Sequence, residues 1–229
     1  MTNLKIKKEN DKLYRENVFD GMSSEFIRDF VPVEKNEISD FSVEKNTVRQ
    51  TTVDCILQNA GKKIIALNFA NAIVAGGAYI IGGSAQEETL CRASGLYYAI
   101  KQQKAFYRQN RLHVLADYTD GMIFSKNVKV IRDGSGNLLK SPVLCDFITC
   151  PAVNRYESFF LGSKRLDMVM KRRIEKIVSF ADSKQAQLVI LGAFGCGAFG
   201  NKREKILPMF EEAVKKYFSQ NTEVVFAIP

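Results

Sequence analysis

The chain has 229 residues, enough for one sizeable core and too few for two comfortable domains with a linker. Hydrophobic residues make up 46% and charged residues 25%, a balance that excludes a disordered or fibrous chain. Thirty-three Lys and Arg against 25 Asp and Glu leave a net charge of +8. Such a surface draws anions, phosphorylated ligands among them, or simply keeps the protein in solution. The five cysteines, Cys55, Cys91, Cys145, Cys150 and Cys196, are odd in number and contain no CxxC pair. This argues against a disulfide framework and a zinc cluster and for a reducing cytoplasm. The opening MTNLKIKKENDKLYRE lacks the apolar stretch of a signal peptide, and no later segment has the length of a transmembrane helix, so a soluble, cytoplasmic protein is expected, with no membrane partner.

Residues 1–46 are charged and weakly periodic and are read as an N-terminal extension packing on or flanking the core; residues 47–229 carry the domain. Thr51 and Thr52 can cap a short helix whose Val53, Ile56 and Leu57 share a face and which Gly61 ends. Lys62 to Asn68 reads as a buried strand. A Gly-rich loop follows, and Ser84 with Glu87 three residues on predicts a capping box opening a helix to about Lys101. Gly121 to Arg132 and Val143 to Thr149 read as strands around a turn at Asp133–Gly136. Ser163 to Ala181 has helical period, with Leu166, Val169, Met170, Ile174, Ile177 and Val178 inward and its Lys and Arg outward. Gln187 to Leu191 is a strand, a second Gly-rich loop runs from Gly192 to Gly200, a helix spans about Arg203 to Phe218, and Glu223 to Ile228 closes the chain as a strand. Helices alternating with apolar strands predict an α/β sandwich. Both Gly-rich loops fall where such sheets hold ligands, after a strand and before a helix.

Glycines at 192, 195, 197 and 200 let the second loop turn tightly and bring its N–H groups close to a phosphate. The loop lacks the Lys-Ser/Thr ending of a P-loop, and a tight structural turn is its plain alternative. In the first loop, two glycine pairs precede Glu87 and Glu88. Glu87 is absorbed by the capping box on local pattern, whereas Glu88 lies about 100° further round the helix and can face the loop, which makes it the better general acid. The helix N-terminus favours the carboxylate while a general acid needs its proton, and a neighbouring phosphate with exclusion of water restores that proton in a complex. His113, the sole histidine, stands away from both loops and is assigned to surface or core, and Cys196 has no nearby base and reads as a small loop-filling residue.

Leu67-Asn-Phe-Ala-Asn71, then Gly76-Gly77-Ala78, seven residues and Gln86-Glu87-Glu88 resemble the glycine-triplet and Gln-Glu-Glu signature of poly(ADP-ribose) glycohydrolases. Thr149-Cys-Pro-Ala-Val-Asn154 and the loop from Gly192 to Asn201 resemble the later blocks of the microbial type. The resemblance implies a macrodomain-like three-layer α/β/α sandwich with a mixed central sheet. It also implies hydrolysis of O-glycosidic ADP-ribose linkages, releasing ADP-ribose from poly(ADP-ribose) by an exo-type, acid-assisted mechanism. Carried residue by residue, Glu88 matches the catalytic acid, and Glu87 its neighbour that holds the ribose and the loop. Asn71 matches a ribose-binding Asn, and Gly76, Gly77, Ala78 and Gln86 belong to the substrate-binding motif. Gly195, Cys196, Gly197, Ala198 and Phe199 match the diphosphate loop, with Phe199 near the distal ribose. No metal or cofactor is implied, and the expected partner of a monomeric enzyme is poly(ADP-ribose) or another ADP-ribosylated macromolecule.

Two positions depart from the pattern: Ala78 stands where the family has its third glycine, and Ala75 where it usually has proline. Either Ala78 occupies a backbone conformation suited to an L-residue, or the loop is strained by about 1 kcal/mol or more. Three other readings stay open on sequence alone. They are an ADP-ribose reader with little turnover, a mono-ADP-ribosyl hydrolase, and a nucleic-acid binder drawn by the basic charge.

Overall fold

The computed structural model describes residues 2–35, 38–113, 115–219 and 221–229, so residues 1, 36 and 37 of the N-terminal extension lie outside it. In chain order the elements are α1 (Asn3–Arg15), β1 (Ser23–Ile27), β2 (Thr47–Val48), α2 (Thr52–Gln58), β3 (Ile64–Phe69), α3 (Gln86–Ala93), α4 (Leu96–Ile100), α5 (Lys104–Leu112), β4 (Met122–Arg132), β5 (Leu138–Cys150), α6 (Ser163–Ser183), β6 (Leu188–Leu191), α7 (Arg203–Tyr217) and β7 (Glu223–Ala227). A seven-stranded sheet runs β1-β4-β5-β3-β6-β7-β2. β1, β4 and β5 pair antiparallel, and β5, β3, β6, β7 and β2 pair parallel.

β3 sits near the middle, and its first five residues, Ile64 to Asn68, are all buried, as expected of a strand covered on both faces. Its alternating side chains divide the core. Ile65 and Leu67 join an apolar cluster with α6 and α7, and Ile64 and Ala66 join one with α2, α3, α4 and α5. This is the expected three-layer α/β/α sandwich with a mixed sheet. The carboxyl ends of the neighbouring strands β3 and β6 open into the two Gly-rich loops.

The N-terminal stretch contributes to this frame. β1 is an edge strand in register with β4, Ser23 opposite Lys126 through Ile27 opposite Met122. α1 lies against α3, its buried Asn10 donating to the carbonyls of Arg92 at 2.9 Å and Cys91 at 3.5 Å. Asn10 also accepts from the buried Arg132 at 3.1 Å.

Three local expectations are corrected. The capping box is not formed: α3 begins after Ala85 without a side-chain cap, and the Glu87 carboxylate turns inward to β3. The helix does not continue to Lys101. It stops at Ser94, which bridges Val130 in extended conformation, while Gly95 N donates to Lys129 O at 3.0 Å. Gly95 is needed there, because a Cβ would lie 2.7 Å from the Phe19 ring. Nor are all the cations of α6 outward. Arg173 is fully buried and donates to the carbonyls of Pro151 (2.9 Å) and Asp117 (2.7 Å) and to Asp120 (3.2 Å). It supplies donors to backbone groups that water cannot reach.

Arg173→Met would strand those buried carbonyls, although Asp120 keeps Arg172 and Lys176 as partners, so it is expected to cost about 3–5 kcal/mol of stability in urea unfolding. A loss below about 1 kcal/mol would mean that the carbonyls find other donors.

Candidate active site

The first turn of α3 carries the two carboxylates into the protein, with Glu87 3% and Glu88 7% exposed. Each is held by a backbone N–H of the first Gly-rich loop. Asn71 N donates to Glu87 Oε2 at 2.7 Å, and Ala78 N donates to Glu88 Oε1 at 2.8 Å. Asn68 Nδ2 adds a bond to Glu87 Oε1 at 3.3 Å. Both carboxylates converge on Gly77, where a Cβ would lie 2.5 Å from Glu88 Oε1 and 3.2 Å from Glu87 Oε2. Gly77 has φ +53°, a conformation L-residues rarely adopt, so space and backbone both require glycine.

Burial pushes the Glu87 carboxyl from its ordinary 4.5 up to about 8; bonds from Asn71 N and Asn68 oppose the shift, and the charge of Glu88 adds to it. Folding therefore takes up a proton at Glu87. Its contribution to stability is full below pH 4.5 and is lost as pH rises through about 8. Wild type should accordingly lose melting temperature relative to Glu87→Gln across that window, and parallel Tm profiles would refute a protonated Glu87.

Ala78 decides the question left by the altered triplet. Its backbone has φ −87° and ψ 15°, opening the 3-10 turn Tyr79–Ile81, a region open to any L-residue. The methyl is accommodated by Gly83, where a Cβ would lie 2.6 Å from that of Ala78. Ala78→Gly should therefore bring no gain in rate and should cost about 0.4–1 kcal/mol through unfolded-state entropy. A large gain in turnover would show that the natural loop is impaired.

Across the cleft, the second loop is pinned from behind. Asn201 Nδ2 donates to Val153 O at 2.9 Å and Gly195 O at 3.2 Å, and Asn201 Oδ1 accepts from Arg155 Nε at 2.8 Å. Arg155 is itself held by Asp167, and its backbone N donates to Phe199 O at 3.0 Å. Gly195 has φ +71°, and a Cβ there would meet Ala152 at 2.4 Å. Gly197 faces open space.

Two adjoining cavities lie between the loops. One of about 390 Å³ is lined by Thr51, Val53, Leu90, Cys196, Arg203 and Ile228, among others. One of about 140 Å³ is lined by Phe69, Ala152, Gly195, Gly197, Ala198 and Phe199, among others. Phe69, Ala85, Gln86 and Gly197 belong to both. Thus Gln86 and the residues from Gly195 to Phe199 form the cleft wall, while Asn71, Gly76, Gly77 and Ala78 gather round the acids just behind it. Gln86 also latches α3 to β3, accepting from Phe69 N at 2.9 Å and donating to Leu67 O at 2.8 Å. Asn71 Oδ1 accepts from Ile73 N and Val74 N, shaping its own loop.

His113 lines neither cavity and shares a 2.8 Å hydrogen bond with Asp117. Cys196 is half-buried in the loop, where burial pushes its thiol up to about 11, the wrong direction for a nucleophile. Sequence reasoning gave no role to Asn201, Arg155 or Asn68. Asn68 and Asn201 lay within the motifs around the two loops, which could have signalled them, whereas nothing local marked Arg155. Among the described residues no group of His, Cys, Asp and Glu could hold a metal ion.

Compared with curated protein sequences, the chain matches none. It is similar to the crystal structure of poly(ADP-ribose) glycohydrolase from Thermomonospora curvata bound to the inhibitor ADP-HPD, with 25% identity, coverage of 99% of this chain and 92% of that chain, and a TM-score of 0.81. It is also similar to the poly(ADP-ribose) glycohydrolase from Deinococcus radiodurans in complex with ADP-ribose, with 27% identity, coverage of 93% and 88%, and a TM-score of 0.73. The family model "Microbial-type PARG, catalytic domain" matches residues 2–133, a span that holds the first loop and both acids. On that match, and with the structural likeness continuing through the second loop, the chain belongs to the microbial-type poly(ADP-ribose) glycohydrolase family.

Proposed function

We propose that this enzyme releases ADP-ribose from the ends of poly(ADP-ribose), with Glu88 as general acid. The observation that carries the reading is the state of the Glu88 carboxyl. Oε1 is fixed by Ala78 N at 2.8 Å, whereas Oε2 is buried and has no partner among the described residues. A buried carboxyl oxygen left unbonded is costly and calls for a ligand group. The relatives' bound ADP-ribose and ADP-HPD suggest which ligand. In this chain the adenosine takes the larger, apolar cavity, and the diphosphate lies along Gly195 to Phe199. The distal ribose lies between Phe199 and the acids, near Asn71 and Gly77.

Glu88 then protonates the leaving oxygen as the C1–O bond of the distal ribose breaks and an oxocarbenium-like ribose forms; water adds to its C1 and gives up a proton to the Glu88 carboxylate, which restores the acid. The diphosphate offsets the developing positive charge, so the substrate supplies part of the stabilisation. Glu87 holds the loop through Asn71 N and contacts the ribose. The net charge of +8 favours arrival of a polyanion. All the site residues come from residues 47–229 of one chain, in keeping with a monomer that needs no partner subunit, while residues 1–46 add α1 and the edge strand β1 to the same sheet and layers. No helix among the described residues is long and apolar enough to cross a membrane. The free cysteines suit a reducing cytoplasm.

Incubation with poly(ADP-ribose) and with mono-ADP-ribosylated protein, followed by detection of free ADP-ribose, tests the activity and separates the substrates. Glu88→Gln should abolish release while keeping the rise in Tm that ADP-ribose produces in wild type. Near-normal turnover by this variant would move the general acid elsewhere, and no Tm rise with millimolar ADP-ribose in the wild type would remove the binding site.

A further inference from the structure

The acid is joined to the N-terminal helix by a continuous relay. Asn3 Nδ2, in the first turn of α1, donates to Gly82 O at 2.9 Å and Gly83 O at 3.4 Å. Gly83 N donates to Ala78 O at 2.9 Å, and Ala78 N donates to Glu88 Oε1 at 2.8 Å. Arg92, one turn after Glu88 on α3, grips the same Gly83 carbonyl with Nη1 and Thr89 Oγ1 with Nη2. Gly83 is in contact with the acid's stem, since a Cβ built on it would lie 3.1 Å from Glu88 Cγ. A shift of Gly83 is therefore transmitted to Glu88 in two ways, through the stem and through the Ala78 peptide.

The outer end of the relay is itself fixed. The buried Asn10 fastens α1 to the last turn of α3 through Arg92 O and lies 3.4 Å from the Tyr79 hydroxyl in the 3-10 turn. Arg132 fastens α1 to the end of β4 through Asn10 and Glu9. Leu4 closes over Gly82, where a Cβ would be 3.4 Å from Leu4 Cγ. From this geometry we infer that Asn3 of α1, together with Arg92, is a positioning residue for Glu88. The N-terminal helix thus sets the reach of the acid without touching substrate. The inference rests on the reading of Glu88 as the general acid. Its physical basis is that proton transfer tolerates little displacement, so a loop free to move by about 1 Å loses rate without losing the pocket.

Asn3→Asp is the informative variant. It keeps shape and places a carboxylate in the first turn of a helix, which favours the helix, yet it cannot donate to Gly82 or Gly83. The expected result is a fall in kcat on poly(ADP-ribose) on the order of ten- to a hundredfold. KM and the Tm rise with ADP-ribose should stay as in wild type, and amide hydrogen exchange across residues 77–88 should be faster. Asn3→Ala should behave alike, and Asn3→Gln, which restores a donor, should recover part of the rate. Unchanged kcat with unchanged exchange would overturn the inference, as would a fall in kcat accompanied by loss of ADP-ribose binding, which would mean that the whole pocket had collapsed. Should wild type release no ADP-ribose, the functional reading fails separately. Exchange then still decides the clamp: faster exchange in Asn3→Asp supports it, and unchanged exchange refutes it.

Discussion

Two adjacent carboxyl groups are buried in one turn of α3, and each accepts a hydrogen bond from a backbone N–H of the first Gly-rich loop. Burying a carboxylate costs several kcal/mol unless hydrogen bonds to it compensate, and a charge-assisted bond returns about 1.5–3 kcal/mol. The loop must therefore close over the helix with its N–H groups inward, which is possible only where no side chain intervenes. Gly77, against which both carboxylates rest, is the consequence. The pair differs in how it is satisfied. Glu87 is bonded at both oxygens and carries a raised pKa, while Glu88 keeps one oxygen unpartnered among the described residues. One carboxyl is satisfied within the fold, and the other only in part.

The rest of the sheet delivers this turn to a ligand. β3 and β6 are parallel neighbours, so their carboxyl ends place the two loops side by side. Gln86 then binds the start of α3 to β3, so that helix and strand cannot separate. On the far side the second loop is held by Asn201 and Arg155, leaving Gly197 free to face the cleft. The result is a rigid floor with open backbone above it, the arrangement that lets N–H groups approach phosphate without reorganisation.

Buried polar residues far from the ligand do comparable work. Arg173 satisfies carbonyls at 117 and 151, just below the segment that carries Asn154 and Arg155. Asn10 and Arg132 do the same where α1 meets α3 and β4. Each is costly to bury and more costly to remove, so these positions fix geometry more than they add net stability.

Several periodic signals are legible in the sequence because they reflect local physics. The apolar run of β3, the period of α6 and the turn at Asp133–Gly136 follow from side-chain alternation and backbone preference within a few residues. Thr51 caps α2 as its sequence position predicts. Ser84 and Glu87 show the limit of local reading: the capping pattern is present, but Asn68 of β3 and Asn71 of the loop after it offer Glu87 two donors, sixteen or more residues earlier in the chain, and these win. The break at Ser94 depends likewise on β4, and the inward turn of Arg173 on carbonyls contributed by two other segments. Ala78 was ambiguous for the same reason, since only the closed loop sets its φ to −87°. Sequence by itself determined the layers, the two loops and the placing of Glu87 and Glu88 beside the first of them, because periodicity and motif are written along the chain. The tertiary structure alone decided which carboxyl is bonded at both oxygens, which keeps one oxygen without a partner among the described residues, and that α1 meets the loop at Gly82 and Gly83, because hydrogen-bond partners distant in sequence are chosen only when the layers close.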